Sequence, residues 1–172
     1  MLHRSRQVSP VASVRPSPCV GARGTFLDTR PRTRVRVALM PVRDREQIEK
    51  LALSYTEAWC SHDAGRVADH YAPGGVIAIN GGEPAPIAEV AHSFLAAFPD
   101  IEVSMDELVF KDDSVEYHWT FTGTSADTGK RVRIAGFEEW AIGADGLIVE
   151  SLGHYDQAEY DRQLRHGVGA SG

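Results

Sequence analysis

The hydrophobic period changes once along this chain, near Ile101, and that change restricts the fold more than any other feature. Before it, apolar residues recur at helical spacing. Ile48, Leu51, Ala52, Tyr55 and Trp59 fall at i, i+3, i+4, i+7 and i+11, the stripe of one amphipathic helix. Asp44 opens that helix, with Gln47 three residues on as a capping-box partner. Asp63 reads as the cap of a second, short helix with Val67, Ala68 and Tyr71 inward. APGG (72–75) breaks it, and VIAIN (76–80) reads as a buried strand ended by NGG. A third helix has Pro86 in its first turn, turns Ile87, Val90, Ala91, Phe94, Leu95 and Phe98 to one side, and stops at Pro99.

Beyond Ile101 the pattern alternates, and strands are expected at 101–110, 114–124, 131–142 and 147–156. In the second of these, Val115, Tyr117, Trp119 and Phe121 share one face, and Glu116, His118, Thr120 and Thr122 share the other. KDD (111–113) and GADG (143–146) suit compact hairpin connections, and QAEYDRQLRHG (157–167) suits a short closing helix. Helices followed by a four-strand meander imply an α+β fold, with helices packed on one face of a curved antiparallel sheet.

A length of 172 residues suits one domain with a real core. The sequence has no run of 18 apolar residues, which excludes a membrane-spanning helix of ordinary length. Two cysteines, Cys19 and Cys60, are too few for a disulfide framework or a cysteine-rich zinc site, as expected of a reducing, cytoplasmic setting. Charge is unevenly divided. Residues 1–40 carry eight arginines, no lysine and one acid, Asp28, for a charge of +7; the rest carries −13. The acidic core would repel a phosphate backbone, so nucleic acid is not an expected partner.

Residues 1–40 show no regular period and contain Pro10, Pro16, Pro18 and Pro31, so they are expected to be a disordered leader, with residues 41–172 as the domain. An Arg-rich, acid-poor leader is open to three readings: an upstream extension of a protein that starts at Met40, an organelle transit peptide, or a basic tail.

The candidate chemistry lies on the last strand. In IVESLGHYDQ (148–157), Glu150, Leu152, His154 and Asp156 share a face. If that face is inside, Asp156 is a general acid or base whose pKa an apolar pocket would raise from about 3.9. His154 is then its partner or a donor to a developing oxyanion. If the face is outside, these groups are simply solvated. The neighbouring register is open too. Pairing Gly143 with Leu147 puts Glu138 and Trp140 on the Asp156 face, whereas pairing Ile142 with Leu147 puts Phe137, Glu139 and Arg133 there, Arg133 opposite Asp156. His62, Asp63, Asp69 and His70 resemble a metal-ligand set, but caps and solvated helix faces explain them, and no metal is expected. Cys60 reads as a packing residue, and no phosphate-cradling glycine loop or nucleophile elbow is present.

Four stretches, AAFPDIEV (96–103), VEYHWTFTGTSADTGKRV (115–132), EEWAIGADGLIVESLGHYD (138–156) and RQLRHG (162–167), resemble in order and spacing the nuclear transport factor two-like superfamily, and within it the SnoaL-like polyketide cyclase group. The resemblance implies a cone-shaped α+β fold whose curved sheet and about three helices enclose a pocket, often as a homodimer. It also implies cyclase chemistry, in which a last-strand aspartate serves an aldol-type ring closure without metal or cofactor. That aspartate matches Asp156, which the resemblance turns inward. Leu152, Gly153 and His154 depart from the larger apolar residues of such cyclases.

Two functions are therefore expected. One is a cofactor-independent cyclase or isomerase acting on a hydrophobic carbonyl compound. Asp156 and His154 would be its catalytic groups, and Tyr55, Trp59, His118, Trp119, Glu138, Trp140 and Glu150 its substrate-binding groups. The other is a non-catalytic small-ligand-binding or dimerisation module of the same fold.

Overall fold

A computed structural model describes residues 43–111 and 113–169 of the chain. The leader 1–40, Cys19, Met40, Asp112 of the KDD turn and the capping side chain of Asp44 lie outside the described residues. The order is α1 (Arg43–Cys60), α2 (Ala64–Ala68), β1 (Tyr71–Ile79), β2 (Ala85–Pro86), α3 (Ile87–Ala97), β3 (Glu102–Phe110), β4 (Val115–Thr124), β5 (Arg131–Ile142), β6 (Ile148–Tyr155) and α4 (Gln157–His166). No helix among the described residues is long and apolar enough to cross a membrane.

The six strands form one sheet in the order β2-β1-β6-β5-β4-β3. The expected meander, β3 to β6, is antiparallel throughout. β1 then joins its far edge parallel to β6, which puts the segment before the third helix beside the last strand. The α+β architecture is thus as expected, with the VIAIN strand extended back to Tyr71 as β1 and one further strand, β2. APGG does not end a structural element here. It forms an irregularity inside β1 between Tyr71 and Val76, where Gly75 packs so closely that a Cβ would lie 2.9 Å from the Ala72 carbonyl oxygen. Tyr71 therefore begins β1 rather than completing α2, which Asp63 caps and Asp69 closes after five residues.

The stripe on α1 buries Ile48, Ala52, Tyr55 and Trp59. Ala52, Tyr55 and Trp59 pack with Val67 of α2, Ile87 and Ala91 of α3, and the inner sheet residues Tyr71, Ile77, Tyr117, Trp140 and Ile148. A second cluster of Phe98, Ile101, Phe121, Val132 and Ile134 closes the other end, with Tyr160 and Leu164 of α4 against it. Burying a large apolar side chain contributes about 1.5–3 kcal/mol, so these two clusters, more than helix propensity, hold the helices on the sheet. α4 is anchored by Gln163, whose amide accepts from the Arg133 N–H at 2.7 Å and donates to the Arg133 carbonyl at 3.0 Å, covering β5 where β6 has ended.

Candidate active site

The β5–β6 register decides which residues face the helices. Ile142 pairs with Ile148 and a bulge follows at Ala141, so that Glu139 faces Leu152 and Phe137 faces His154. The turn itself closes as in the first expected pairing, with the Gly143 N–H donating to the Leu147 carbonyl at 2.8 Å, but the extra residue Val149 then shifts the rest of the ladder by one. The faces come out as in the second alternative: Phe137 and Glu139 share a side with His154, while Arg133 lies beyond the paired segment, which ends at Gly136 and Tyr155. Alternation then sends Glu138, Trp140, Ser151, Gly153 and Tyr155 inward. Glu150, Leu152 and His154 turn outward.

The inward expectation for Asp156 is corrected accordingly. Asp156 is exposed at the N-cap of α4, where its Oδ1 accepts the Glu159 N–H at 2.9 Å. His154 is half-buried on the outer face, stacked on Phe137 at 4.7 Å, with Nε2 3.5 Å from Glu139 Oε1. His118 is on that face as well, against the expectation that it binds substrate: it stacks on Phe137 at 5.2 Å and lies 3.2 Å from Glu116. Glu150 is exposed there too. The physical reason is common to all four. A run of charged and imidazole groups on one side of a strand is solvated at little cost outside and at great cost inside.

The inner face holds a different constellation. Between the sheet and the helices lies a cavity of about 60 Å³. Trp59 of α1, Val90 and Phe94 of α3, Ile77 and Ile79 of β1 and Trp119 of β4 give it apolar walls, with Glu138, Gly153 and Tyr155 from β5 and β6. Glu138 is 6% exposed. Its Oε2 accepts from Trp140 Nε1 and from Ser151 Oγ, both at 2.8 Å, with Tyr71 OH at 3.5 Å. The Tyr55 hydroxyl lies 3.4 Å from both oxygens, and among the described residues it is the one partner of Oε1. The carboxyl is therefore gripped by one oxygen and lightly held by the other.

Two opposed effects act on its proton. Burial favours the neutral acid, and the four donors favour the carboxylate. Burial is the larger, so the pKa of Glu138 stands above the usual glutamate value of 4.5. The same burial, reinforced by the negative charge of Glu138, pushes Tyr55 and Tyr71 well above 10.0, so both hydroxyls remain donors at any ordinary pH. Tyr55 meets both Tyr117 and Trp140 edge-on, and those two rings stack on each other at 4.7 Å. Such packing fixes the hydroxyl positions.

Of the residues singled out from sequence, Trp59, Trp119 and Glu138 line this cavity, and Tyr55 and Trp140 stand behind Glu138 and hold it. Sequence reasoning missed Ser151 and Gly153, although the alternation that exposes Glu150 and His154 turns these two small residues inward. Among the described residues no group of three or more His, Cys, Asp or Glu is placed to hold a metal. Asp63 caps α2, His70 bridges Arg66 and Ser54, and His62 reaches the Ile101 carbonyl. Cys60 is exposed rather than packed in the core, and meets the Val103 backbone at 3.3 Å.

The family model of the SnoaL-like domain matches residues 52–151. No curated protein matches the chain. Among solved structures, AclR from Streptomyces galilaeus is similar at 23% identity and a TM-score of 0.60, over 70% of this chain and 96% of its own. TsrD from Streptomyces laurentii gives 20% and 0.61, over 70% and 96% respectively. SalBIII, described as an epoxide hydrolase/cyclase-like enzyme in pyran ring formation in the polyether salinomycin, gives 15% and 0.60, over 67% and 95%. At these identities the likeness is one of fold.

Proposed function

Because this chain belongs to the SnoaL-like domain family, we propose that it is a small-molecule enzyme of the cyclase or isomerase kind, in which Glu138 moves a proton on a hydrophobic carbonyl compound held in the inner cavity. The observation that carries this reading is a carboxyl with a raised pKa, buried in an apolar wall and lightly held at one oxygen. In the forward step the Glu138 carboxylate takes a proton from the carbon next to the carbonyl. The C–H electron pair forms the carbon–carbon double bond of an enolate, and the carbonyl π pair moves to oxygen. Glu138 then returns the proton at another atom, or the enolate carbon attacks a second carbonyl and closes a ring. Trp140 and Ser151 keep the carboxyl oriented through the cycle. Cyclase-like chemistry in SalBIII supports the ring-forming variant. Proton transfer of this kind needs no metal or cofactor.

One observation favours a second reading, a carrier without chemistry. Oε2 of Glu138 already accepts two short bonds, which a purely structural carboxyl would also do. We also propose that the chain pairs with a second copy through the outer sheet face, where Val149 and Leu152 are exposed beside the His118–Phe137–His154 stack.

A thermal-shift panel of aromatic polyketides, steroids, terpenoid epoxides and fatty acyl compounds, run on wild type and Glu138→Gln, tests the reading. A ligand at about 100 times its dissociation constant adds about 2.7 kcal/mol, roughly 5–11 °C for a chain of this size. Conversion of a hit by wild type alone is the expected result. A hit that binds both proteins and emerges unchanged from both establishes the carrier instead.

A further inference from the structure

The cavity wall contains a second polar handle that the proton-transfer step does not use. Trp119 lines the cavity, and its indole Nε1 is buried with no hydrogen-bond partner among the described residues. A buried donor left unpaired in a native fold calls for a reason, commonly a ligand or an ordered water. Two other polar atoms of the wall are engaged within the protein. Tyr117 OH lies 2.7 Å from Thr56 Oγ1, and Glu138 Oε2 is bonded to Trp140 and Ser151.

The indole is also held in place. Trp119 pairs with Gly136 across the sheet, and its six-membered ring lies over that glycine so closely that a Cβ at position 136 would stand 2.7 Å from Cζ2 and Cη2. Gly136 thereby makes room for the ring and sets its plane, with Phe121 and Tyr155 at ring distances of 6.0 Å and 6.5 Å. An indole N–H only donates, so what meets it must be an acceptor.

We infer that the Trp119 indole N–H is the cavity's specificity determinant for oxygen, donating to the carbonyl of a bound ketone. The inference rests on the reading above only in placing a small hydrophobic ligand in this cavity. If that reading holds in full, the same N–H stabilises the oxygen on which charge develops when Glu138 removes the neighbouring proton, where a preplaced donor matters most. The ligand class is then narrowed to apolar skeletons that carry a ketone, and hydrocarbons of the same shape are discriminated against.

The experiment compares 1-indanone with indane, which share a skeleton and differ in the carbonyl. The indole N–H resonance of Trp119 in the full chain is assigned in wild type from the through-space contacts of its ring with Gly136, and checked by its loss in Trp119→Phe. Indanone is expected to move that resonance downfield and indane to leave it in place. Indanone should bind wild type about five- to tenfold more tightly than indane, and this ratio should fall to about one in Trp119→Phe. Equal ketone preference in both proteins overturns the inference. So does an indole resonance that neither ligand moves, or that both move alike, as displacement of a bound water only would do. The wild-type resonance decides the matter even if Trp119→Phe fails to fold. Deuterium exchange next to the indanone carbonyl separates the two proposals. A Trp119-dependent preference without Glu138-dependent exchange sinks the proton-transfer reading and leaves this one standing.

Discussion

Glu138 and Asp156 are both acids, one on β5 and one just past the end of its neighbour β6, yet they inhabit opposite surroundings. Asp156 is exposed, and its carboxylate is occupied with the first turn of α4. Glu138 lies under Tyr55, Tyr71 and Trp140, facing an apolar cavity. An exposed carboxylate beside a helix N-terminus is comfortable when ionised, and nothing holds it toward a substrate. A buried carboxyl gripped by fixed donors has a strained charge state and a defined position, which are the two properties that general acid–base work requires. The difference is produced by one residue of strand parity and one bulge.

The widest separation should be in turnover. On a ketone substrate, Glu138→Gln is expected to lower the rate of α-proton exchange by about 10²–10⁴, and Asp156→Asn to leave it within a few-fold of wild type. A large loss in Asp156→Asn with Glu138→Gln active would reverse the assignment of roles. Stability comes next. Glu138→Ala strands the Trp140 and Ser151 donors and opens a void, so urea unfolding should show a loss of about 2–4 kcal/mol. Asp156→Ala removes a helix cap, at a cost of about 1 kcal/mol, and Asp156→Asn should cost almost nothing because asparagine caps as well.

The pH dependence has opposite signs at the two places. The folded chain holds the Glu138 proton at pH values where the unfolded chain, with a carboxyl near 4.5, has released it. Wild type should therefore lose melting temperature relative to Glu138→Gln as pH rises from 4.5 through the folded pKa. Glu159, at the foot of α4, behaves in the other sense. Hydrogen bonds from Arg162 and Gln163 hold it down at about 2, so its contribution is present above 4.5 and is lost as pH falls toward 2. Melting curves of Glu159→Gln should flatten that acid limb and leave the upper one unchanged.

A finer comparison concerns two glycines of the same inner surface. A Cβ at Gly153 would meet Ile79 and Ile77 at 3.6 Å and 3.8 Å, an ordinary contact, so Gly153→Ala should fold normally and bind indanone several-fold more weakly by narrowing the cavity. A Cβ at Gly136 would stand 2.4 Å from the His154 carbonyl oxygen, so Gly136→Ala should cost about 1–3 kcal/mol in urea unfolding. Equal behaviour of the two would mean that Gly153 is not part of the wall.

Much of this architecture is legible in the sequence. The change of period at Ile101 locates β3, and the alternation of Tyr117, Trp119 and Phe121 assigns the inner face of β4 correctly, because side chains on a half-buried strand have a period of two. The inner face of β6 is a different matter. Both Glu150-Leu152-His154 and Ser151-Gly153-Tyr155 are mixed sets, so the pattern alone does not say which is buried, and the bulge at Ala141 cannot be seen in GADG. Family likeness drew attention to the final aspartate, whereas the geometry places the buried acid one strand earlier. Pairing of β1 beside β6 is equally hidden, since a parallel partner distant in sequence leaves no local signal.

The central claim is that Glu138 is the pocket's working carboxyl, and a carbon-detected NMR titration of its side-chain carboxyl tests it most directly. The carboxyl carbon should titrate above the ordinary glutamate value of 4.5 and shift again when 1-indanone fills the cavity. A carbon that titrates at 4.5 or below, and that indanone leaves unmoved, would contradict the claim and return Glu138 to a structural part.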